Sequence, residues 1–361
     1  METIKVTPER LYNIAYKYFL KMGLSDEDAA QAADVLNLSD RRGVYSHGLN
    51  NIKWYSFALE HGIANPKAEL TILREEPSML YIDCNAGLGI AQVPKAMKLV
   101  IEKAKETGIC VAALTHSGHF GMAAYYALMA AEQGLFGWAS AGGCQCVVPT
   151  GGKKAVLANS PWSAAFPAGE RYPEPILTDM ATSAVAIGKI DVARKNGTKI
   201  PFGWALDKDG LPTDDPVAFY ESHNLMPFGG PKGYCVTVMV EMLSAVISGA
   251  GFDGDVPFGP YDRIAPENHG QFLMAMDLSR FRPTEEITKD IDRYADMLHN
   301  CPKAVNADRI YAPGEIEAIN MHRSDAEGVD FGVYLLKELL EIMVRDGVLP
   351  EGATIEELLN M

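Results

Sequence analysis

Apolar positions along the chain follow two rhythms. Near both ends they recur every three or four residues, as in an amphipathic helix; through the middle they form short runs broken by glycine, as in strands and turns. Thr7-Pro8-Glu9-Arg10 is a helix start, with a capping hydroxyl, a proline at the first helical position and an early acid. Leu11, Ile14, Ala15, Tyr18 and Phe19 follow at helical spacing. Ser25-Asp26-Glu27-Asp28 repeats the signal ahead of Ala29, Ala32, Ala33, Val35 and Leu36. A third helix is predicted over 49–59. His47, Asn51 and Tyr55 step by four, so they are expected to share one helical face as a polar lining for a small oxygenated ligand.

From about residue 70 the texture changes. Strands are predicted at 78–83, 109–113, 136–141 and 271–277, with an extended run at 176–183. Helices are predicted at 93–104, 122–128 and 236–250, the last as an apolar core element. Beyond Thr284 amphipathic helices return and end in 334–345. The pattern predicts an α/β (α+β) protein. A helical domain over 1–75, with 284–361 packing back onto it, is expected beside an α/β domain over 76–283.

Bulk properties narrow the function. A chain of 361 residues buries a large core, and 48% hydrophobic with 22% charged residues is ordinary for a globular protein. A net charge of −15 argues against nucleic-acid or anionic-membrane surfaces, which need concentrated Lys and Arg. No apolar run approaches the roughly 20 residues that span a bilayer, and residues 1–7 lack the layout of a secretion signal. Six cysteines without a CxxC pair read as reduced thiols, so a cytoplasmic location is expected. Cys144-Gln145-Cys146 has the wrong spacing for a zinc knuckle, and no metal site is expected.

The chemistry is expected at Leu114-Thr115-His116-Ser117-Gly118-His119-Phe120-Gly121, between a predicted strand and a predicted helix. Strand ends of this kind commonly carry active sites in α/β enzymes, and an imidazole there exchanges protons near neutrality. Gly87-Leu88-Gly89 imitates a dinucleotide fingerprint but lacks the third glycine and the later acid. Gly151-Gly152-Lys153-Lys154 lacks the spacing and the hydroxyl of a P-loop. His116 and His119, three apart, suit a zinc hydrolase only with a third ligand and a base, and no HExxH is present.

Six segments in one order resemble a known family along nearly the whole chain. They are Gly43-Val44-Tyr45-Ser46-His47-Gly48, Ser117-Gly118-His119-Phe120-Gly121, Asp179-Met180-Ala181-Thr182-Ser183, the 204–213 segment, Gly230-Pro231-Lys232-Gly233-Tyr234 and Pro313-Gly314-Glu315. They are similar to the malate/L-lactate dehydrogenase family of non-Rossmann oxidoreductases, which includes ureidoglycolate, sulfolactate and diketogulonate enzymes. The 179–183, 204–213 and 230–234 segments look most like the ureidoglycolate members.

The resemblance implies a non-Rossmann NAD(P)-binding domain with a large mixed sheet, a homodimer or higher oligomer, and a small 2-hydroxy or 2-oxo acid as substrate. NAD is the expected cofactor, with NADP the alternative. By position, His119 is the implied general acid/base; His47 and Ser46 are the implied catalytic pair that hydrogen-bonds the substrate, with His47 the proton donor in some members, and Tyr55 is a hydroxyl contact. Gly143, Asp179, Met180, Ala181, Lys232, Gly314, Glu315 and Ile316 match cofactor positions. Asn51 stands where the family usually has an arginine for the substrate carboxylate, and an asparagine supplies no charge. That departure leaves open a cofactor-binding protein, or a reductase of an atypical substrate, as the alternative. A metal-dependent hydrolase ranks behind both.

Overall fold

The two ends of the chain meet. In the computed structural model, which describes residues 2–256, 265–266 and 268–361, strand Thr3–Val6 pairs antiparallel with strand Val329–Gly332. Helix Pro8–Lys21 is capped by Thr7, whose side chain accepts from the Arg10 N–H, and Ser25 does the same for Asp28 at the start of helix Asp26–Arg41. Both helices bury their apolar stripes, Leu11, Ile14, Tyr18 and Phe19 in the first and Ala29, Ala32, Val35 and Leu36 in the second. Helices Glu315–Glu327, Val333–Arg345 and Ile355–Leu359 pack onto them and onto helix Ile52–Glu60. Burying such stripes against one another is what stabilises helices of this length.

The middle of the chain forms a seven-stranded mixed sheet. Its order is Thr71–Glu76, Met79–Gly87, Ile109–Ser117, His269–Met276, Phe136–Ala141, Trp162–Phe166 and Ile176–Met180. One neighbouring pair is parallel, 79–87 with 109–117, and helix Gly89–Thr107 supplies the crossover that a parallel pair requires. Helix Ala124–Ala131 lies on one face, with Ala127 against Gly137. On the other face Ser140 Oγ meets Ser244 Oγ at 2.9 Å. The alternation of residues along strand 136–141 separates these two contacts.

Two expectations need correction. Residues 236–250 are not a buried core helix. An α-helix runs over Pro231–Glu241 and continues as a π turn over Met242–Val246. It packs on the sheet with one side, while Met239, Met242, Val246 and Ile247 face outward. The extended run at 176–183 ends as a strand at Met180, because the Thr182 N–H turns to the Asn159 carbonyl.

A satellite unit hangs from this sheet. Short strands at 145–147, 157–158, 205–206, 212–213 and 224–225 form a second sheet. Helices Ile187–Lys195 and Pro216–Ser222 close over Val147, Ile190, Ala205, Phe219 and Leu225 as a separate small core. Helix Thr284–His299 docks elsewhere: buried Asp292 accepts the backbone N–H groups of Glu170, Arg171 and Tyr172.

Candidate active site

His119 lies in the turn between strand Ile109–Ser117 and helix Ala124–Ala131. The Gly118 N–H donates to the Gly87 carbonyl at 3.1 Å, and buried Gln271 Nε2 donates to the Gly118 carbonyl at 3.1 Å. Tyr126 Oη donates to the Phe120 carbonyl, and the two rings stack with centroids 4.8 Å apart. Gly89 lies so close that a Cβ there would sit 2.2 Å from the Gly118 carbonyl oxygen. The glycines that imitate a dinucleotide motif therefore seat the histidine turn.

The two histidines of the motif part company. His116, at φ 49°, places Nδ1 3.0 Å from the Asp83 carboxylate on the exposed side of the strand. His119 instead gathers Tyr55 and His47, and Ser46 through His47. Tyr55 Oη is 2.8 Å from its Nδ1, and the His47 ring stacks against it with centroids 5.8 Å apart and planes 23° apart. Ser46 Oγ lies 2.8 Å from His47 Nδ1.

His47, Asn51 and Tyr55 do not share a helical face. Residues 45–47 and 49–51 form separate 3-10 turns broken at Gly48, whose φ of −89° and ψ of −153° are extended, and the α-helix begins at Ile52. The break has a local cause. Buried Asp40 accepts the Leu49 N–H at 2.8 Å, and the chain passes so near that a Cβ on Gly48 would lie 1.9 Å from Asp40 Oδ1. His47 and Tyr55 still converge, both on His119. Asn51 turns back, its Nδ2 donating to the Ser46 carbonyl at 2.7 Å. Lys53 is drawn away to Glu338 at 3.7 Å.

Both site imidazoles favour the neutral form. Desolvation lowers the pKa of His47. For His119 desolvation acts first and the nearby imidazoles of His47 and His269 add to it, holding its pKa well below the usual value although solvent reaches the ring. His269 escaped the sequence reading. It lies just ahead of the predicted 271–277 strand, and only the antiparallel register, His269 against Ser117, brings it to the site.

The residues matched to cofactor positions come together through the backbone. Asn159 stands by two of the segments: its carbonyl accepts the Thr182 N–H at 2.7 Å, and its Oδ1 is 3.5 Å from where a Cβ on Gly143 would stand. The Thr182 carbonyl accepts the Phe228 N–H at 3.0 Å, just before the Gly229-Gly230 turn and Lys232 on the first turn of helix Pro231–Glu241. Asp179 and Met180 end the edge strand and Ala181 follows. The Asp179 carboxyl is pushed up to about 7 by desolvation, against the Ala124 N–H and Arg42, which favour its charged form.

The Leu177 N–H donates to the Pro313 carbonyl at 3.0 Å, which sets Gly314 beside the same strand. Arg42, also absent from the sequence reading, is buried there with its Nη2 3.4 Å from the Gly314 carbonyl and its Nε unpartnered. The Glu315 carboxylate is already engaged, by His299 Nε2 at 2.8 Å, by the Ala312 N–H at 2.9 Å and by Arg309. Ile316 is exposed.

This donor set fits a nicotinamide dinucleotide. A lysine on the first turn of a helix suits a phosphate, and a side chain added at Gly229 or Gly230 would meet nothing within 4 Å, so the backbone is open to approach. A strand-end acid suits ribose hydroxyls. A histidine at a strand end, together with such groups, suits an enzyme that couples hydride transfer to proton transfer.

Comparison with known proteins identifies the family. The malate/L-lactate dehydrogenase family model matches residues 6–340, and the chain belongs to that family. It is 35% identical over 355 residues to a malate dehydrogenase of Pyrococcus horikoshii, covering 96% of each chain. It is 38% identical over 336 residues to an L-sulfolactate dehydrogenase of Methanocaldococcus jannaschii, covering 92% of this chain and 95% of that one. A solved sulfolactate dehydrogenase structure from the same organism superposes with a TM-score of 0.89 at 35% identity, covering 98% and 99%. A ureidoglycolate dehydrogenase of Escherichia coli O157:H7 is 30% identical over 346 residues, covering 96% of each. The expected family and enzyme class are borne out, as is the mixed-sheet fold.

Proposed function

We propose that this chain transfers a hydride between a nicotinamide dinucleotide, NAD in the first instance, and a small 2-hydroxy or 2-oxo acid. The observation that carries the reading is the His119 imidazole, kept neutral, bonded at Nδ1 to Tyr55 and stacked on His47. The bound dinucleotide supplies the hydride donor and acceptor. His119 takes a proton from the alcohol oxygen on oxidation and returns it to the carbonyl oxygen on reduction. His47, with its Nδ1 tied to Ser46, presents its other nitrogen to the substrate. Asp179 through Ala181, Gly143, Lys232 and the 314–316 turn line the dinucleotide, with Glu315 acting through its backbone because its carboxylate is engaged.

Asn51 favours a second reading. It spends its amide on the Ser46 carbonyl, so position 51 offers a carboxylate no charge. A substrate without the usual carboxylate, or cofactor binding without turnover, fits that arrangement. A metal hydrolase fits poorly, since His116 is committed to Asp83.

The outward apolar stripe of Met239, Met242, Val246 and Ile247 supports a homodimer or higher oligomer. We assign a cytoplasmic location on composition; no helix among the described residues is long and apolar enough to cross a membrane. The division into a helical domain of both chain ends and an α/β domain of 76–283 is part of the same proposal, with the substrate held between them.

The test is nicotinamide absorbance with NADH or NADPH against 2-oxo acids, cyclic imino acids and uncharged ketones, alongside thermal stability with each cofactor. Stabilisation by cofactor with turnover of a 2-oxo acid is expected. No stabilisation by either cofactor at saturation overturns the reading, and stabilisation with silence across all substrates selects the binding protein.

A further inference from the structure

We propose that Tyr55 is a positioning residue for His119: its hydroxyl oxygen accepts the Nδ1–H of the imidazole and so reserves Nε2 as the atom that exchanges a proton with substrate. This rests on the reading of His119 as the acid and base. Position 55 looked from the sequence like a substrate contact, and the structure gives its hydroxyl another partner. Tyr55 is only 3% exposed. Phe19 meets its ring edge-on, with centroids 6.3 Å apart and planes at 64°, and its Oη lies 2.8 Å from His119 Nδ1. The hydroxyl of this buried ring is thereby engaged by the imidazole.

The tautomer follows from the chemistry. An imidazole that gains and loses a proton at Nε2 must keep its other proton on Nδ1 in both states. Among the described residues, Tyr55 is the group hydrogen-bonded to that nitrogen. A hydroxyl oxygen accepts the Nδ1–H whether the ring is neutral or charged. A carboxylate in its place would favour the charged ring. Among the described residues, the titratable groups that face His119 are Tyr55 from helix 52–60, His47 from the 45–47 turn and His269 from strand 269–276, and the two imidazoles oppose positive charge on it. During reduction the Nε2–H bond breaks and an O–H bond forms on the substrate as the hydride reaches the carbonyl carbon. The ring then returns to neutrality with Nδ1–H still on Tyr55.

The experiment compares wild type, Tyr55→Phe and His119→Ala, using NADH with oxaloacetate as the probe and imidazole ¹⁵N shifts of His119 as a readout that needs no turnover. In wild type His119 is expected as the Nδ1–H tautomer, and in Tyr55→Phe as a mixture of both. Steady-state kinetics should show kcat lowered by about 10²-fold, as for a misplaced reacting group, with KM for oxaloacetate held within about threefold. The alkaline limb of the kcat profile for reduction, where the protonated donor is lost, should move to lower pH, because the charged ring has lost an acceptor. An Nε2–H tautomer in wild type, or a Tyr55→Phe variant that raises KM and keeps kcat, overturns the proposal. Retained turnover in His119→Ala would overturn the functional reading instead, and the tautomer would still decide the role of Tyr55.

Discussion

The two segments that deliver histidines to the site are supported in opposite ways. The 117–121 turn is held by neutral groups: backbone hydrogen bonds to Gly87, the Gln271 amide, the stacked Phe120 and Tyr126 rings, and the close approach of Gly89. The 45–51 turns rest on one buried carboxyl, Asp40, which accepts the Leu49 N–H beneath Gly48. In the first support the phenol of Tyr126 is held neutral, since burial pushes it well above its usual value. The second rests on a carboxyl that titrates near neutrality, so the contrast predicts a rigid, pH-indifferent seat for His119 and a pH-sensitive one for His47.

Removing the imidazole itself should have the largest effect. His119→Ala is expected to lower turnover on the order of 10²–10⁴-fold while leaving stabilisation by NADH nearly unchanged, as thermal melts would show. If cofactor stabilisation is lost as well, the histidine turn and the dinucleotide surface are not separable. Gly89→Ala comes next. Its new Cβ would stand 2.2 Å from the Gly118 oxygen and 2.7 Å from the His119 oxygen, so backbone must move. A loss of about 1–3 kcal/mol in stability, as for other overpacked sites, should accompany a fall in kcat. Denaturant melts together with kinetics measure both.

Asp40 tests the other support. Burial pushes its carboxyl up from 3.8 to about 7, opposed by the Leu49 N–H. The folded value lies above the unfolded one, so the folded chain keeps a proton that the unfolded chain has lost, and stability falls as pH rises through that window. Above it the penalty is complete, roughly 4 kcal/mol at most. Asp40→Asn still accepts from Leu49 and carries no charge. It is expected to flatten the stability-versus-pH curve and to exceed wild type in melting temperature above the window. A slope identical to wild type would show that another group titrates. The smallest effect is expected from His116→Ala, which removes an exposed pair with Asp83 worth about 0–1 kcal/mol and should leave kcat unaltered. A large kinetic loss there would join the two histidines of the motif after all.

Much of this was legible along the chain. Helix starts at Thr7 and Ser25, the strands predicted at 109–113 and 136–141, and the histidine turn between strand and helix are all local signals. Other features were not. The spacing of His47, Asn51 and Tyr55 suggested one helical face because a period of four says nothing about Gly48 being pulled open by Asp40. The 231–246 helix is apolar enough to read as core, yet one side lies outside the sheet it covers. Arg42 and His269 carry no local mark of function, and each reaches the site by packing across the fold, beside Gly314 and Ser117 respectively.

By itself the sequence determined the rhythm of helices and strands, the absence of a complete dinucleotide fingerprint, and the residue types available for proton transfer, since these depend on local spacing and side-chain chemistry. Only the tertiary structure decided which groups each histidine meets. His116 and His119 are three residues apart, and strand geometry sends one to Asp83 and the other to Tyr55 and His47. The use of Tyr55 and Asn51 was decided the same way, because a hydrogen bond is settled by distances between segments far apart in sequence.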